Sequence, residues 1–341
     1  MKKSNYRRLL LPAVLIAALI VVFLSDKKYG LKEIPLLIGS ANKSLILLII
    51  GLQFVFYILD GLLSLTALRI VEVKVHPKHA ISIAVLSAIG GKVIPMIGAS
   101  LSSFFLYRKL NIETKKIAFL VTVWNIFYIL SFTVSFGVAL ILLPKLAFKV
   151  VSPIVFDALA AVFGFMVVGA YLTLRNRGRL LKNLVLFLKK FSFGKRLEEG
   201  SVSSFIETLD EDLALMKRRK WLSFLSFLFS ALYYIDNVAL LYFSFLVFGF
   251  RPDLASLIIA FSLSTILSLI SLMPEVPGVT ETSIILIFTA FGYPSGLTIL
   301  ASVLYRLISY WLLIPVGAFF YFKYWDQSDL KSAWRAARKN S

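Results

Sequence analysis

Six ionisable side chains stand in stretches that otherwise read as hydrocarbon: Asp60, Lys92, Asp236, Glu275, Glu281 and Arg306. A charge at bilayer depth costs roughly 2.5–3.5 kcal/mol on insertion scales, so it survives where it is paired or faces a wet cavity. The chemistry on offer is that of a polar path. Arginine stays charged and grips a phosphate in two-point geometry, while a carboxylate takes up a proton, a metal cation or an amine. Arg306 lies deep in its apolar segment, and either a phosphate or an ion pair with Glu281 or Asp236 would justify it there. Glu281 opens a helix just after Pro277-Gly278. An acid there complements the helix dipole and caps free amides, or binds a cationic group. Lys92 and Glu275 sit beside two interruptions of apolar sequence, and Asp60 and Asp236 sit in matching segments as proton sites or backbone partners.

The elements that must position these groups are helices in a membrane. The chain has 341 residues, is 59% hydrophobic and has a mean hydropathy of +0.86. Apolar runs of about 20 residues recur, the length that crosses a hydrocarbon core of roughly 30 Å. They cover 8–24, 44–66, 80–107, 117–143, 153–174, 221–248, 254–291 and 297–322. The alternating strands of a membrane barrel are absent. The first run follows Lys2, Lys3, Arg7 and Arg8 and is followed by Ser25-Asp26-Lys27-Lys28 without a small-residue cleavage site, so it reads as an uncut anchor.

Segments 80–107 and 254–291 are interrupted in their middles. One carries Gly90, Gly91, Lys92 and Pro95, with Gly98 beyond; the other carries Pro274, Glu275, Pro277 and Gly278. Proline removes an amide donor and glycine weakens a helix interior, so both sites read as hairpin breaks. Charge decides the topology. Basic residues dominate five stretches: the N-terminal tail, 67–79, 108–116, 175–220 and the tail from 323, which together hold 28 of the 37 Lys and Arg. All five are cytoplasmic under the positive-inside rule only if 80–107 enters and leaves on that face. The fold expected is an all-α polytopic membrane protein. It has about six full spans plus two re-entrant helical hairpins (80–107, 254–291) in an inverted repeat, with both termini cytoplasmic. One membrane domain fills 1–341: a first half (1–174), a basic amphipathic connector (175–220), a second half (221–325) and a basic tail (326–341). Echoes support the repeat, with Tyr57-Ile58-Leu59-Asp60 against Tyr234-Ile235-Asp236-Asn237, and Trp124-Asn125 against Tyr305-Arg306. Broken helices meeting near the midplane of inverted repeats are a recurrent transporter plan.

Several classes drop out. There are no cysteines, and His76 and His79, the only histidines, read as solvated loop residues without a third metal ligand. Asp157 reads as interfacial. The formal net charge of +19 lies in loops between apolar runs, so it points to anionic phospholipids and not to nucleic acid. No phosphate-binding loop, zinc-protease, esterase or dinucleotide motif occurs, so neither an enzyme nor a cofactor is expected.

The stretch Pro274-Glu275-Val276-Pro277-Gly278-Val279-Thr280-Glu281, followed by Tyr305-Arg306, Tyr310-Trp311, Pro315 and Gly317, resembles the lysylphosphatidylglycerol synthase transmembrane region, also called the flippase-like domain family. The chain keeps Pro274, Gly278, Val279, Glu281, Arg306, Tyr310 and Trp311 of that pattern. It departs at Glu275-Val276-Pro277, where the family has Gly-Gly-Leu. Pro95-Met96-Ile97-Gly98, followed by Leu110-Asn111-Ile112, is a looser match. The resemblance implies translocation of a phospholipid or lipid-linked molecule, without the soluble synthase domain found in the multiple peptide resistance factor. The implied substrate-binding set is Glu281, Arg306, Glu275, Lys92, Asp236, Asp60, Tyr305, Tyr310 and Asn125. Residence in the cell (cytoplasmic) membrane follows as an expectation. A second copy of the chain and a separate lipid-modifying enzyme stay open as partners. An ion-coupled carrier of a small polar solute and a docking partner for an enzyme remain alternative functions.

Overall fold

The computed structural model describes residues 39–93, 98–147, 211–270 and 279–324, with a few positions between 157 and 168. Every regular element among them is helical: α1 (Lys43–Ile70), α2 (Pro77–Val93), α3 (Gly98–Lys109), α4 (Thr114–Ala147), α5 (Lys220–Leu246), α6 (Leu254–Ile270), α7 (Val279–Ala290), α8 (Ser295–Arg306), a π-helical turn (Leu307–Trp311) and α9 (Leu313–Tyr324). Four helical stretches are long and apolar enough to cross a membrane: Lys43–Ile70, Thr114–Leu142, Lys220–Leu246 and Ser295–Tyr324. Large apolar side chains stay on the outside of these helices, among them Phe54 and Ile58 on α1, Val134 and Ile141 on α4, Phe224 and Ile235 on α5, and Phe319 and Phe322 on α9. That surface suits lipid, and the chain is an integral multi-pass membrane protein. The segments 8–24 and 175–200, and most of 153–174, lie outside the described residues, as do Pro95, Pro274, Glu275, Pro277 and Gly278.

α1 and α5 form the tightest helix pair. They run antiparallel. Ser226 Oγ donates to Thr66 Oγ1 at 2.8 Å, Phe56 lies 4.3 Å from Tyr233, and the Asn42 amide donates to the Val247 carbonyl at 2.9 Å. Asn42 also caps α1, accepting from the amide of Ser44 at 3.0 Å. The two short-helix pairs sit at opposite ends of this axis. The turns flanking α2 and α3, residues 73–79 and 110–116, line one cleft near the C-terminal end of α1. The turns flanking α6 and α7 meet near its N-terminal end, where Tyr293 Oη donates to Asp253 Oδ2 at 2.8 Å. α2 and α6 have 17 residues each, α3 and α7 have 12. At 1.5 Å per residue the longer ones reach about 25 Å, short of a roughly 30 Å core.

The limbs α2 and α3 pack antiparallel, with Ser103 Oγ donating to Ser87 Oγ at 2.7 Å. One expectation is corrected here. Gly90 and Gly91 do not break the helix, since α2 continues through them and Lys92 to Val93. They are packing glycines. A Cβ on Gly90 would stand 2.6 Å from the Gly98 carbonyl oxygen and would overlap Ser102, and one on Gly91 would press on Ala99 at 3.3 Å. Small residues let helix backbones approach where lipid offers no hydrophobic drive. Gly61 on α1 does the same against Ile81, and Gly317 on α9 receives Ile89. His79 is likewise no loop residue; it sits half-buried in the first turn of α2, behind His76.

Each short-helix pair packs on the long helical stretch that follows the other pair: α2 on α9, and α6 on α4. That reciprocal exchange is what a two-fold relation between halves would produce. Leading into α5, a helical stretch at 211–218 lays Met216 and Leu213 on the core formed by Leu63, Leu68, Tyr107 and Ile117. Asp212 is drawn in with it and is 6% exposed. Burial, and then the neighbouring Glu211, raise its carboxyl to about 6.

Gly61→Ala and Gly90→Ala are each expected to lower stability by about 1–3 kcal/mol through overpacking. Gly51→Ala, where a Cβ meets nothing within 4 Å, should be neutral or stabilising. Thermal melts of the purified variants read this directly. Because Asp212 titrates higher when folded than an ordinary carboxyl does, its ionisation opposes folding. Stability is therefore fullest below about pH 4 and falls as pH rises through about 6. Melting temperatures of wild type and Asp212→Asn should draw apart between about pH 4 and 6, the variant being the less pH-dependent.

Candidate functional site

Glu281 lies in the first turn of α7 and Arg306 in the last turn of α8. The acid therefore complements the positive end of α7, whereas Arg306 lies inside the continuous helical stretch Ser295–Tyr324. They meet directly. Arg306 Nε donates to Glu281 Oε1 at 2.6 Å, with side chains 9% and 17% exposed respectively. Of the two carboxylates considered from sequence, Glu281 is the partner. Tyr310 brings its ring within 5.4 Å of the guanidinium carbon and thus adds a cation–π contact. The helix switches to a π turn after Arg306, with the Leu312 amide donating to the Leu307 carbonyl five residues back at 3.0 Å. Such a turn inserts one residue into the helical register and is frequent at functional sites.

Asp60 occupies α1 near its crossing with α5. Its Oδ1 accepts from Trp124 Nε1 at 2.9 Å, and no hydrogen bond reaches Oδ2 among the described residues. Trp124 stacks on Tyr128, one turn along α4, at 5.2 Å, and Tyr233 of α5 sets itself edge-on to both at 5.9 and 6.0 Å. These four residues meet from three helices, yet each remains only partly buried. Tyr233 lies within electrostatic reach of Asp60, Tyr128 and Tyr305, and Tyr305 within reach of Arg306 and Glu281. The aromatic group around Asp60 joins α1, α4 and α5, and the Glu281–Arg306 pair joins α7 and α8 within electrostatic range of it.

Asp236 stands one turn beyond Tyr233 on α5. It is 6% exposed, and its Oδ2 has no hydrogen-bond partner among the described residues. Asn125 does not join the group. It faces outward from α4 and donates back to the Val121 carbonyl at 2.7 Å, while its neighbour Trp124 turns inward. Lys92 lies in the last turn of α2, and its side chain, like the whole of Glu275, falls outside the described residues. Asp157 is exposed. The sequence reading missed Trp124, Tyr128 and Tyr233. The signal for them is polar-tipped aromatics at i and i+4 on one helix, opposite an acid on another. No group of three metal-ligating side chains occurs among the described residues.

A guanidinium offers five donors in a planar fork, of which Nε serves Glu281. The carboxylate thereby orients a group suited to phosphate, with hydroxyl and carboxylate acceptors close by. Comparison with known proteins then decides the family. The family model for the lysylphosphatidylglycerol synthase TM region matches residues 10–317. The chain belongs to this family. Glu281, Arg306 and Tyr310 all fall inside the match. Two archaeal relatives are similar to it: a UPF0104 membrane protein of Methanothermobacter thermautotrophicus, 28% identical over 199 residues, and one of Pyrococcus horikoshii, 27% identical over 197. The alignments cover 55% and 56% of this chain and 58% and 57% of the relatives, so the chain spans rather more than half the length of either.

Removing one partner of the buried pair leaves the other uncompensated, at a cost of roughly 3–5 kcal/mol. Glu281→Gln and Arg306→Gln should each lower the unfolding free energy by that order. The double variant should lose less than the sum by about 1 kcal/mol or more. Denaturant melts of all four proteins in one detergent measure the coupling.

Proposed function

We propose that this chain moves a phospholipid or lipid-linked polar molecule between membrane leaflets. The observation that carries the reading is the buried Glu281–Arg306 pair, held where a short apolar helix starts and a long one changes register. The guanidinium grips a headgroup phosphate; Glu281 keeps the fork aligned and exchanges its bond for a substrate cation or a proton. The polar headgroup passes along Tyr305, Tyr128, Tyr233 and Asp60 while its acyl chains remain in lipid. Membership of the family supports this reading, because its namesake lipid is a phospholipid.

In this arrangement α2–α3 and α6–α7 are re-entrant hairpins entering from opposite faces. The end of the bundle with Arg69, Lys74, Arg108 and Lys115 is cytoplasmic, and the two halves are inverted repeats that rock against one another. Asp236, buried without a cation beside it, favours a second reading as an ion-coupled carrier of a small polar solute.

Translocation of fluorescent phosphatidylglycerol in proteoliposomes, with a zwitterionic lipid as control, separates the two. Wild type should carry the label across at a rate at least about tenfold above Glu281→Gln and Arg306→Lys, both checked for folding by their melts. Equal rates in all three would remove the pair from the mechanism. Absence of lipid movement under any proton gradient or voltage, with uptake of a solute into the same vesicles, would favour the carrier.

A further inference from the structure

Two adjoining clefts open at the end of the bundle where α1 stops and α5 starts, far along both helices from the Asp60–Tyr233 crossing. The larger, about 580 Å³, is lined by Arg69, Lys74 and Arg219 together with Val73, Val75 and Leu222. The smaller, about 340 Å³, lies between the turns flanking α2 and α3, where Lys74 meets Lys116, His79 and Asn111. Both volumes fall in the range of small-ligand sites, about 300–1,000 Å³. Lys74 borders both clefts. Acids are present but engaged: Glu72 pairs with Arg219, whose Nη1 also donates to the Arg69 carbonyl at 3.3 Å, and Glu113 lies 3.7 Å from Lys116. Arg69 and Lys74 make no ion pair among the described residues. The lining therefore combines spare positive charge with valine and leucine at the level where helices leave the apolar core.

A water-soluble anion has no use for the apolar wall. A lipid needs both parts. We propose that the Arg69–Lys74–Arg219 cleft holds the headgroup of an anionic phospholipid that stays in place, its phosphate on Lys74 and Arg69 and its glycerol region against Val73, Val75 and Leu222. The site joins the end of α1, the turn that leads into α2 and the start of α5. A bound lipid therefore ties the first short-helix pair to the antiparallel axis and holds the two halves in register. Basic pockets between helices at one membrane face are suited to such lipids.

Native mass spectrometry of the full chain, released from mixed micelles containing phosphatidylglycerol or phosphatidylcholine, tests this alongside thermal melts. Phosphatidylglycerol should be retained in preference and should raise the melting temperature. Arg69→Gln with Lys74→Gln should weaken both effects about tenfold or more. Lys43→Gln with Arg251→Gln, which removes two cations from the opposite end, should leave them intact. So should Glu281→Gln, which separates this site from the translocation pair and lets either reading fail alone. Equal retention of both lipids, or unchanged retention in the Arg69 and Lys74 double variant, would overturn the proposal. Glycerol phosphate reproducing the stabilisation with the same variant sensitivity would overturn the lipid as occupant.

Discussion

A helix that starts or changes register inside a bilayer leaves amides or carbonyls that hydrocarbon cannot satisfy. This bundle concentrates that difficulty at one place and answers it with charge. Glu281 stands in the first turn of α7, and Arg306 stands where α8 gives way to the π turn, so the 2.6 Å bond between them links a helix start to a change of helical register. The cost of the ions and the cost of the irregular backbone offset one another. Everything polar at the centre is arranged around this link: Tyr310 over the guanidinium, Tyr305 beside it, then the tyrosines and Trp124 that lead to Asp60.

The rest of the bundle supplies rigidity to that centre through small residues. Gly61, Gly90 and Gly317 each admit a neighbour where a Cβ would collide. Close packing of this kind fixes α2 between α1 and α9, and the α1–α5 pair carries the aromatic group at its crossing. The polar centre is thus packed among helices whose outer faces carry large apolar side chains, the division expected when the solvent outside is lipid.

Sequence reading located the four long helices among the described residues to within a few positions, because runs of about 20 apolar residues have few alternative fates in a membrane. It also found Glu281 and Arg306, since an isolated charge in such a run is conspicuous. It read Gly90 and Gly91 as breaks, because glycine has two uses that look alike in one dimension: it weakens a helix and it lets another helix come close. Only the position of Gly98 and Ser102 in space separates them. Trp124, Tyr128 and Tyr233 stayed hidden for a related reason. Aromatic residues are common on every apolar face, and their convergence on Asp60 depends on how three helices cross. Asn125 was chosen in place of Trp124 because a polar side chain draws the eye more than an indole with one donor.

The reciprocal packing of the two halves constrains how the chain is made. α2 rests on α9, so a face presented by residues near Val85 and Ile89 receives Gly317 from a helix that leaves the ribosome more than 200 residues later. Until then that face borders lipid or an insertion partner. The first short-helix pair therefore cannot complete its packing before α9 is in place. A nascent chain halted before α9 has every residue of its first half and still lacks that half's finished core.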